Sequence, residues 1–173
     1  VSEVMRAVLD ARHAGVPVLA LVGSAGGCFG GMGIVARCAD QVLMSDVGRL
    51  AMSGPEVIES AHGVEEFDAR DRALVWRTTG GKHRWLCGDC DALLEDDADA
   101  FRAAALAALD AGRAPSLDAL EAEHALLRAR EAAAPLDLDP RDEAPALWRA
   151  LGVPPGVDVS AAEVPQVRAL RAR

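Results

Sequence analysis

Residues 25–33 read Ala25-Gly26-Gly27-Cys28-Phe29-Gly30-Gly31-Met32-Gly33, five glycines around one cysteine. They follow an apolar run, Val16 to Val22, and lead into a helix-like segment ending near Asp40. A strand, a glycine turn and a helix start aim backbone N–H groups outward, at a phosphate or a developing oxyanion. A phosphate loop of the Walker type needs Gly-Lys-Ser/Thr, which is absent here. A dinucleotide fingerprint needs G-x-G-x-x-G, which Gly26 to Gly31 does not fit, and Met44-Ser45-Asp46 matches its acidic strand end only loosely. The preferred chemistry is therefore oxyanion stabilisation. The plainer alternative is that the glycines only let a helix pack close to a strand.

Other groups are weaker candidates. Cys28 precedes a helix start, a place that lowers a thiol pKa and favours a nucleophile. Cys87-Gly88-Asp89-Cys90 is a C-x-x-C with His83 nearby, but no second ligand pair exists, so reduced thiols are expected and no metal. Glu56 and Glu59 stand three apart on a short helix, an acid–base spacing. Glu65 to Arg72 mixes acids and bases around Phe67, and reads equally as a solvated surface or an intersubunit contact. Thr79-Gly80-Gly81-Lys82-His83-Arg84 reads as a second glycine loop beside cations, or as a plain turn. His62 and His124 show no partner, and Trp76 and Trp85 read as core.

The elements that must position these groups follow from periodicity. Ser2 to Ala14 has helical apolar spacing, stopped by Gly15 and Pro17. Val16 to Val22 is continuous and apolar, which predicts a strand buried on both faces. Gly31 to Ala39 is expected as helix, Gln41 to Met44 as a buried strand, and Gly48 to Met52 as a third, shorter strand. A turn at Ser53-Gly54-Pro55 leads into a helix over Glu56 to Ala61. From Asp68 onward the pattern is helical: Asp68 to Thr79, Asp97 to Ala111 ending at Gly112, Ser116 to Ala133 with Ser116 as cap, and Glu143 to Leu151. Leu136 to Pro140 is a link, and the tail after Gly156 is expected to be loose. The order of elements gives a layered α/β domain.

At 173 residues the chain fits one compact domain. Half of it is apolar, yet it holds three tryptophans, three phenylalanines and no tyrosine, so the core must come from Ala, Val and Leu. A net charge of −9 leaves no basic stripe for nucleic acid. No apolar run is long enough for a membrane span, and no leader pattern opens the chain, so a cytoplasmic setting is expected. Because Ser2 to Ala14 starts in full helical stride, an N-terminally incomplete chain is expected.

Several segments together carry a family resemblance. Pro17 to Val22, Gly30-Gly31-Met32-Gly33, Cys38-Ala39-Asp40, and Leu50 to Ile58 with its Gly54-Pro55-Glu56 core resemble the crotonase superfamily. Gly27 to Met32, Gly54 to Glu59, Gly63 to Arg72, Trp76 and Thr78 to Gly81 are similar to the beta-subunit family of biotin-independent malonate decarboxylases. The resemblance runs from about Val4 to Arg113. It implies a crotonase-like core over 1–113, in its C-terminal portion, with a helical extension and tail over 114–173.

The resemblance also implies a reaction. A malonyl thioester on an acyl carrier protein loses CO₂, leaving an acetyl thioester through an enolate. Gly30 and Gly31 would supply backbone N–H oxyanion donors, and Gly26, Gly27, Cys28 and Phe29 would shape the thioester's approach. Glu56, Arg70 and Arg72 are possible further site residues, the arginines and the Thr79–Arg84 segment facing the phosphates of a CoA-like prosthetic group on the carrier. No cofactor bound directly and no metal are implied. The implied partners are a gamma subunit and the acyl carrier protein. Two rival readings stay open: a subunit of a biotin-dependent carboxyltransferase, and a non-catalytic chain that binds a partner.

Overall fold

The computed structural model describes residues 1–24, 26–111, 117–133 and 140–171. Ala25 of the glycine turn, the helix stop at Gly112, the boundary at 113/114, the Ser116 cap and most of the Leu136–Pro140 link lie outside the described residues.

Among the described residues, three parallel strands form the sheet, in the order β1 (Leu19–Val22), β2 (Gln41–Ser45), β3 (Ala92–Leu94). Leu19 pairs with Gln41 and Val22 with Met44; Leu43 pairs with Ala92 and Ser45 with Leu94. Parallel strands need crossovers, and helices supply them. Helix α1 (Ser2–His13) precedes β1, and α2 (Gly31–Arg37) links β1 to β2. Helices α3 (Pro55–His62), α4 (Arg72–Thr79) and α5 (Gly81–Leu86) link β2 to β3. After β3 come α6 (Ala98–Ala111), α7 (Leu117–Ala133), α8 (Pro140–Ala150) and α9 (Val164–Arg171).

Strand β2 is central, so both its faces are covered: Val42, Leu43, Met44 and Ser45 are all fully buried. Strand β1 is not buried on both faces as its apolar run suggests. It forms an edge of the described sheet, and Leu21 is 54 % exposed. The run therefore gives the strand's existence but not its neighbours.

The third strand differs from the sequence expectation. Residues 48–52 do not join the sheet; they make single bridges, Cys28 with Leu50 and Arg49 with Gly80. Their backbone is shared between the glycine turn and the α4–α5 junction, which leaves no continuous ladder. The third strand is instead Ala92–Leu94, inside the stretch that reads as helical from Asp68 onward. Its signal is only three residues, between Asp91 and Glu95. Asp91 ties it to β2, its Oδ2 accepting from Val42 N at 2.8 Å.

The Thr79–Arg84 segment is also not a loop. Gly80 ends α4 and opens α5, and the cations there are engaged. Arg84 donates to Asp89 Oδ2 at 2.9 Å and to Thr78 O at 2.8 Å, and Lys82 donates to Ser160 O at 3.1 Å. Helix α4 begins at Arg72 rather than Asp68, because Asp71 caps it by accepting from Leu74 N.

The tail after Gly156 is packed, not loose. Val159, Val164 and Val167 are buried in one cluster with Leu86, Leu93 and Trp148. Helix α9 lies on α5 and β3, where Arg168 Nε donates to Leu93 O at 2.6 Å and Arg171 to Cys90 O at 2.9 Å. The turn into it is fixed by Asp158, whose Oδ1 accepts from Ser160 Oγ at 2.6 Å. That bond, mainly, holds the Asp158 carboxyl below its ordinary pKa. An Ala- and Arg-rich tail hides three valines that together close the core.

Candidate functional site

Strand β1 ends at Val22, and the chain turns through Gly27 and Gly30 before α2 starts. Gly30 is the N-cap with φ 62°, a left-handed conformation that costs glycine nothing. A Cβ at Gly33 would lie 2.8 Å from Ala51 O, so glycine there lets α2 sit against residues 50–52. Packing thus accounts for Gly33, and at Gly31 a Cβ would meet the Val1 side chain at 2.5 Å, whereas nothing lies within 4 Å of one at Gly30. The first backbone N–H groups of a helix have no partner within it. In α2 these include Gly31 and Met32, while Gly33 N donates to Gly30 O at 3.0 Å.

The turn is clamped from below. Cys28 N donates to Arg49 O at 2.7 Å, and Ala51 N donates to Cys28 O at 3.2 Å. Phe29 folds back over Gly27, and its ring also faces Gly54. The Glu56 carboxylate faces Gly54 too, so Phe29 and Glu56 approach the same point from the turn and from the first residues of α3. The structure therefore brings Glu56 beside the turn. Glu59 does not join it; its Oε2 accepts from Ala69 N at 2.8 Å and closes the 63–71 loop. Cys28 does not fit a low-pKa nucleophile, since burial pushes its thiol up.

Arg72 reaches the same region indirectly. Its guanidinium lies 5.0 Å from the centroid of the Trp76 ring, one helical turn along α4. Arg49 lies 4.7 Å from that ring and 5.3 Å from the Phe29 ring. Trp76 is thus a platform for two cations rather than plain core. Arg70 is exposed, and among the described residues no contact joins it to the turn. Arg49 is the site residue that sequence reasoning misses. Its only signal is a charge inside a short apolar segment directly after Gly48.

The remaining groups serve the fold. Phe67 is buried with Leu74 and Val75, while the charges around it stay at the surface. His62, which shows no partner in sequence, sits 3.4 Å from Glu66. Cys87 and Cys90 are buried thiols. Cys87 Sγ lies 3.5 Å from His83 Nε2, and His83 Nδ1 accepts from Trp148 Nε1 at 3.1 Å. Burial, chiefly, pushes the Cys90 thiol up to about 12. Among the described residues, no group of three or more His, Cys, Asp and Glu is gathered to hold a metal ion. No helix among them is long and apolar enough to cross a membrane. A cavity of about 420 Å³ lies elsewhere, between α4, α8 and residues 153–158, with Arg77, Arg149 and Asp158 in its wall.

No protein-family model matches the chain. A curated relative, the malonyl-S-ACP:biotin-protein carboxyltransferase MADC of Malonomonas rubra, is 52 % identical over 108 residues. That match covers 62 % of this chain and 34 % of the relative. Two Pseudomonas structures match in fold at 35 % identity. One is the malonate decarboxylase hetero-tetramer in complex with malonate, with a TM-score of 0.62 over 76 % of this chain and 47 % of the other. The second is the malonate decarboxylase MdcD-MdcE hetero-dimer, with a TM-score of 0.57 over 73 % and 51 %. The chain spans about a third of the curated relative and about half of the two solved chains. In sequence and in fold, over that span, it resembles the beta-type subunits of malonate decarboxylases.

Proposed function

We propose that the chain contributes the oxyanion site of a malonyl-thioester decarboxylase with a crotonase-like core. The observation that carries this reading is the glycine turn: Gly30, at φ 62°, is the N-cap of α2, whose first N–H groups have no acceptor within the helix. When the malonyl thioester loses CO₂, the bond between the α-carbon and the carboxyl carbon breaks. Its electron pair becomes the enolate, with the charge on the thioester oxygen, and a proton at the α-carbon then yields the acetyl thioester. Donors placed where that charge develops stabilise the transition state more than the ground state. One such donor is worth about 3 kcal/mol. Gly30 and Gly31 take that role; Gly26, Gly27, Cys28 and Phe29 shape the thioester's path.

The partners follow from the same reading: an acyl carrier protein bearing a CoA-like prosthetic group, and a gamma subunit that completes the site. Supporting a heteromer, Leu106, Leu109, Leu117, Leu120 and Leu127 of α6 and α7 are each about half exposed or more. The two Pseudomonas structures that the chain resembles are themselves hetero-oligomers. A second reading is carboxyl transfer to a biotin protein, favoured by the name of the Malonomonas relative. Both reactions pass through the same enolate and differ in where the CO₂ goes.

The test is CO₂ release from a malonyl thioester by the full-length protein with its partner subunit. Gly31 is the first residue of α2, a place where proline is tolerated while removing the N–H. Gly31→Pro should lower the rate by about a hundredfold with the fold intact. Gly31→Ala keeps the N–H and meets only the Val1 side chain, so it should retain most of the activity. An unchanged rate in Gly31→Pro would move the oxyanion site elsewhere. Release that avidin abolishes would favour the biotin reading.

A further inference from the structure

Among the described residues, Ser24 alone has a positive φ, 63°, without being glycine. A Cβ makes that conformation uncommon for any residue but glycine, asparagine and aspartate. Such a backbone persists only where its surroundings hold it, and it collects at ligand sites. At Ser24 the hold is a bond from a distant element. Its N–H donates to Asp96 Oδ1 at 3.0 Å, from a residue 72 positions away. Gly23 makes room for this bond: a Cβ there would lie 3.0 Å from the Phe101 ring and 3.2 Å from Asp96 Oδ1.

The place of this bond in the fold points to a ligand. The strands are parallel, so their carboxyl ends share one edge of the sheet, the edge where open parallel sheets bind ligands. Ser24 follows the end of β1 and Asp96 the end of β3, so their bond passes the end of β2. The glycine turn leaves from the same edge. Its two limbs rest on consecutive residues: the backbone of Gly48 lies against Val22 O, and Cys28 N donates to Arg49 O at 2.7 Å. Ser24 stands on the outgoing limb and is exposed. Asp96 takes its N–H, so the group left to a ligand is the hydroxyl. A hydroxyl donates its O–H without any change of protonation state. With the backbone held, only the rotations about Cα–Cβ and Cβ–Oγ remain to be fixed on binding, which keeps the entropic cost small.

We propose that Ser24 is a substrate-binding residue of the glycine turn, its hydroxyl donating a hydrogen bond to an oxygen of the malonyl thioester, and that Asp96 is a positioning residue acting through it. This inference rests on the malonyl-thioester reading. The acceptor has two sources in that substrate: the thioester oxygen and the carboxylate.

The experiment measures binding by calorimetry in the full-length protein assembled with its partner subunit. Acetyl-pantetheine presents the thioester oxygen, and malonate presents carboxylates. Ser24→Gly removes the hydroxyl and suits the positive φ, so the turn keeps its shape. It should weaken binding of one probe about fivefold, the loss of a neutral hydrogen bond. Weakening with acetyl-pantetheine assigns the contact to the thioester oxygen; weakening with malonate assigns it to the carboxylate. Asp96→Ala should weaken the same probe, and Asp96→Asn, which keeps an acceptor oxygen, should restore most of the loss. In the Ser24→Gly background Asp96→Ala should add nothing, because the residue acts through Ser24. Parent-like affinity for both probes in Ser24→Gly overturns the proposal, since a turn that needs only its shape would bind normally. An equal loss from Asp96→Ala in both backgrounds overturns the positioning role. Binding is read without turnover, so a Ser24-dependent affinity in a protein that releases no CO₂ upholds the contact and removes only the decarboxylation reading.

Discussion

Cys90 shows how far burial alone can change a residue's chemistry. The thiol is 1 % exposed, packed with Val22, Met44 and Leu50. Burial raises its pKa to about 12 from an ordinary 9.0; Arg171 and Arg37 oppose the rise, and Asp89 and Asp91 add to it. The sign of the pH effect follows. Below pH 9 the thiol is protonated in both folded and unfolded chains and costs nothing. Above it the unfolded chain ionises and the folded one does not, so stability falls as pH rises from 9 towards 12. The urea midpoint should therefore drop between about pH 8 and pH 10.5, and drop less in Cys90→Ala. Equal drops in both proteins would show that another group governs the alkaline limb. The spacing Cys87-Gly88-Asp89-Cys90 is visible in sequence, but its burial is not. The same holds for Arg49, whose charge is visible while its two aromatic neighbours come from distant segments.

Among the elements, periodicity works where a segment makes its own hydrogen bonds. Helices α1, α3, α6 and α7 lie where apolar spacing and flanking residues put them. Helix α4 is shorter than its pattern because Asp71 caps it, accepting from Leu74 N at 3.1 Å. Asp71→Ala should cost about 1 kcal/mol, and Asp71→Asn only a few tenths. Chemical denaturation of the two variants checks this; equal losses would remove the cap as the reason for the boundary. Strands fare worse, because their bonds are made to other segments. Residues 48–52 carry a strand-like pattern, yet their partners are Cys28, Thr79 and Gly80 rather than a sheet edge. Residues 92–94 carry almost no pattern, yet they are a strand because β2 offers them a partner.

At the scale of the whole molecule, the last residues close the core. Val159, Val164 and Val167 are at most 1 % exposed, and they cover Leu86, Leu93 and Trp148. Full burial of one such side chain is worth about 1.5–3 kcal/mol, so the three together rival the net stability of a small domain. A protein ending after Gly156 should lose its cooperative thermal transition and aggregate. A truncated protein that melts as the parent does would show that this tail adds nothing. The position of α9 also bears on the site, since it holds α5 against β3, and α5 shares Gly80 with α4 and its Trp76.

The amino-acid order determined the strand–glycine turn–helix unit at 19–37, because it is local and Gly27 and Gly30 suit two of its left-handed positions, with Ser24 at a third. It also carried the resemblance to malonate decarboxylase subunits, through runs such as Gly54-Pro55-Glu56 that keep their meaning without coordinates. The tertiary structure decided what surrounds that turn. It brought Arg49 against both Phe29 and Trp76 and set the Phe29 ring against Gly54, where the Glu56 carboxylate also lies. Those choices rest on contacts between segments far apart in the chain, and a pattern with a period of two or 3.6 residues holds no information about them.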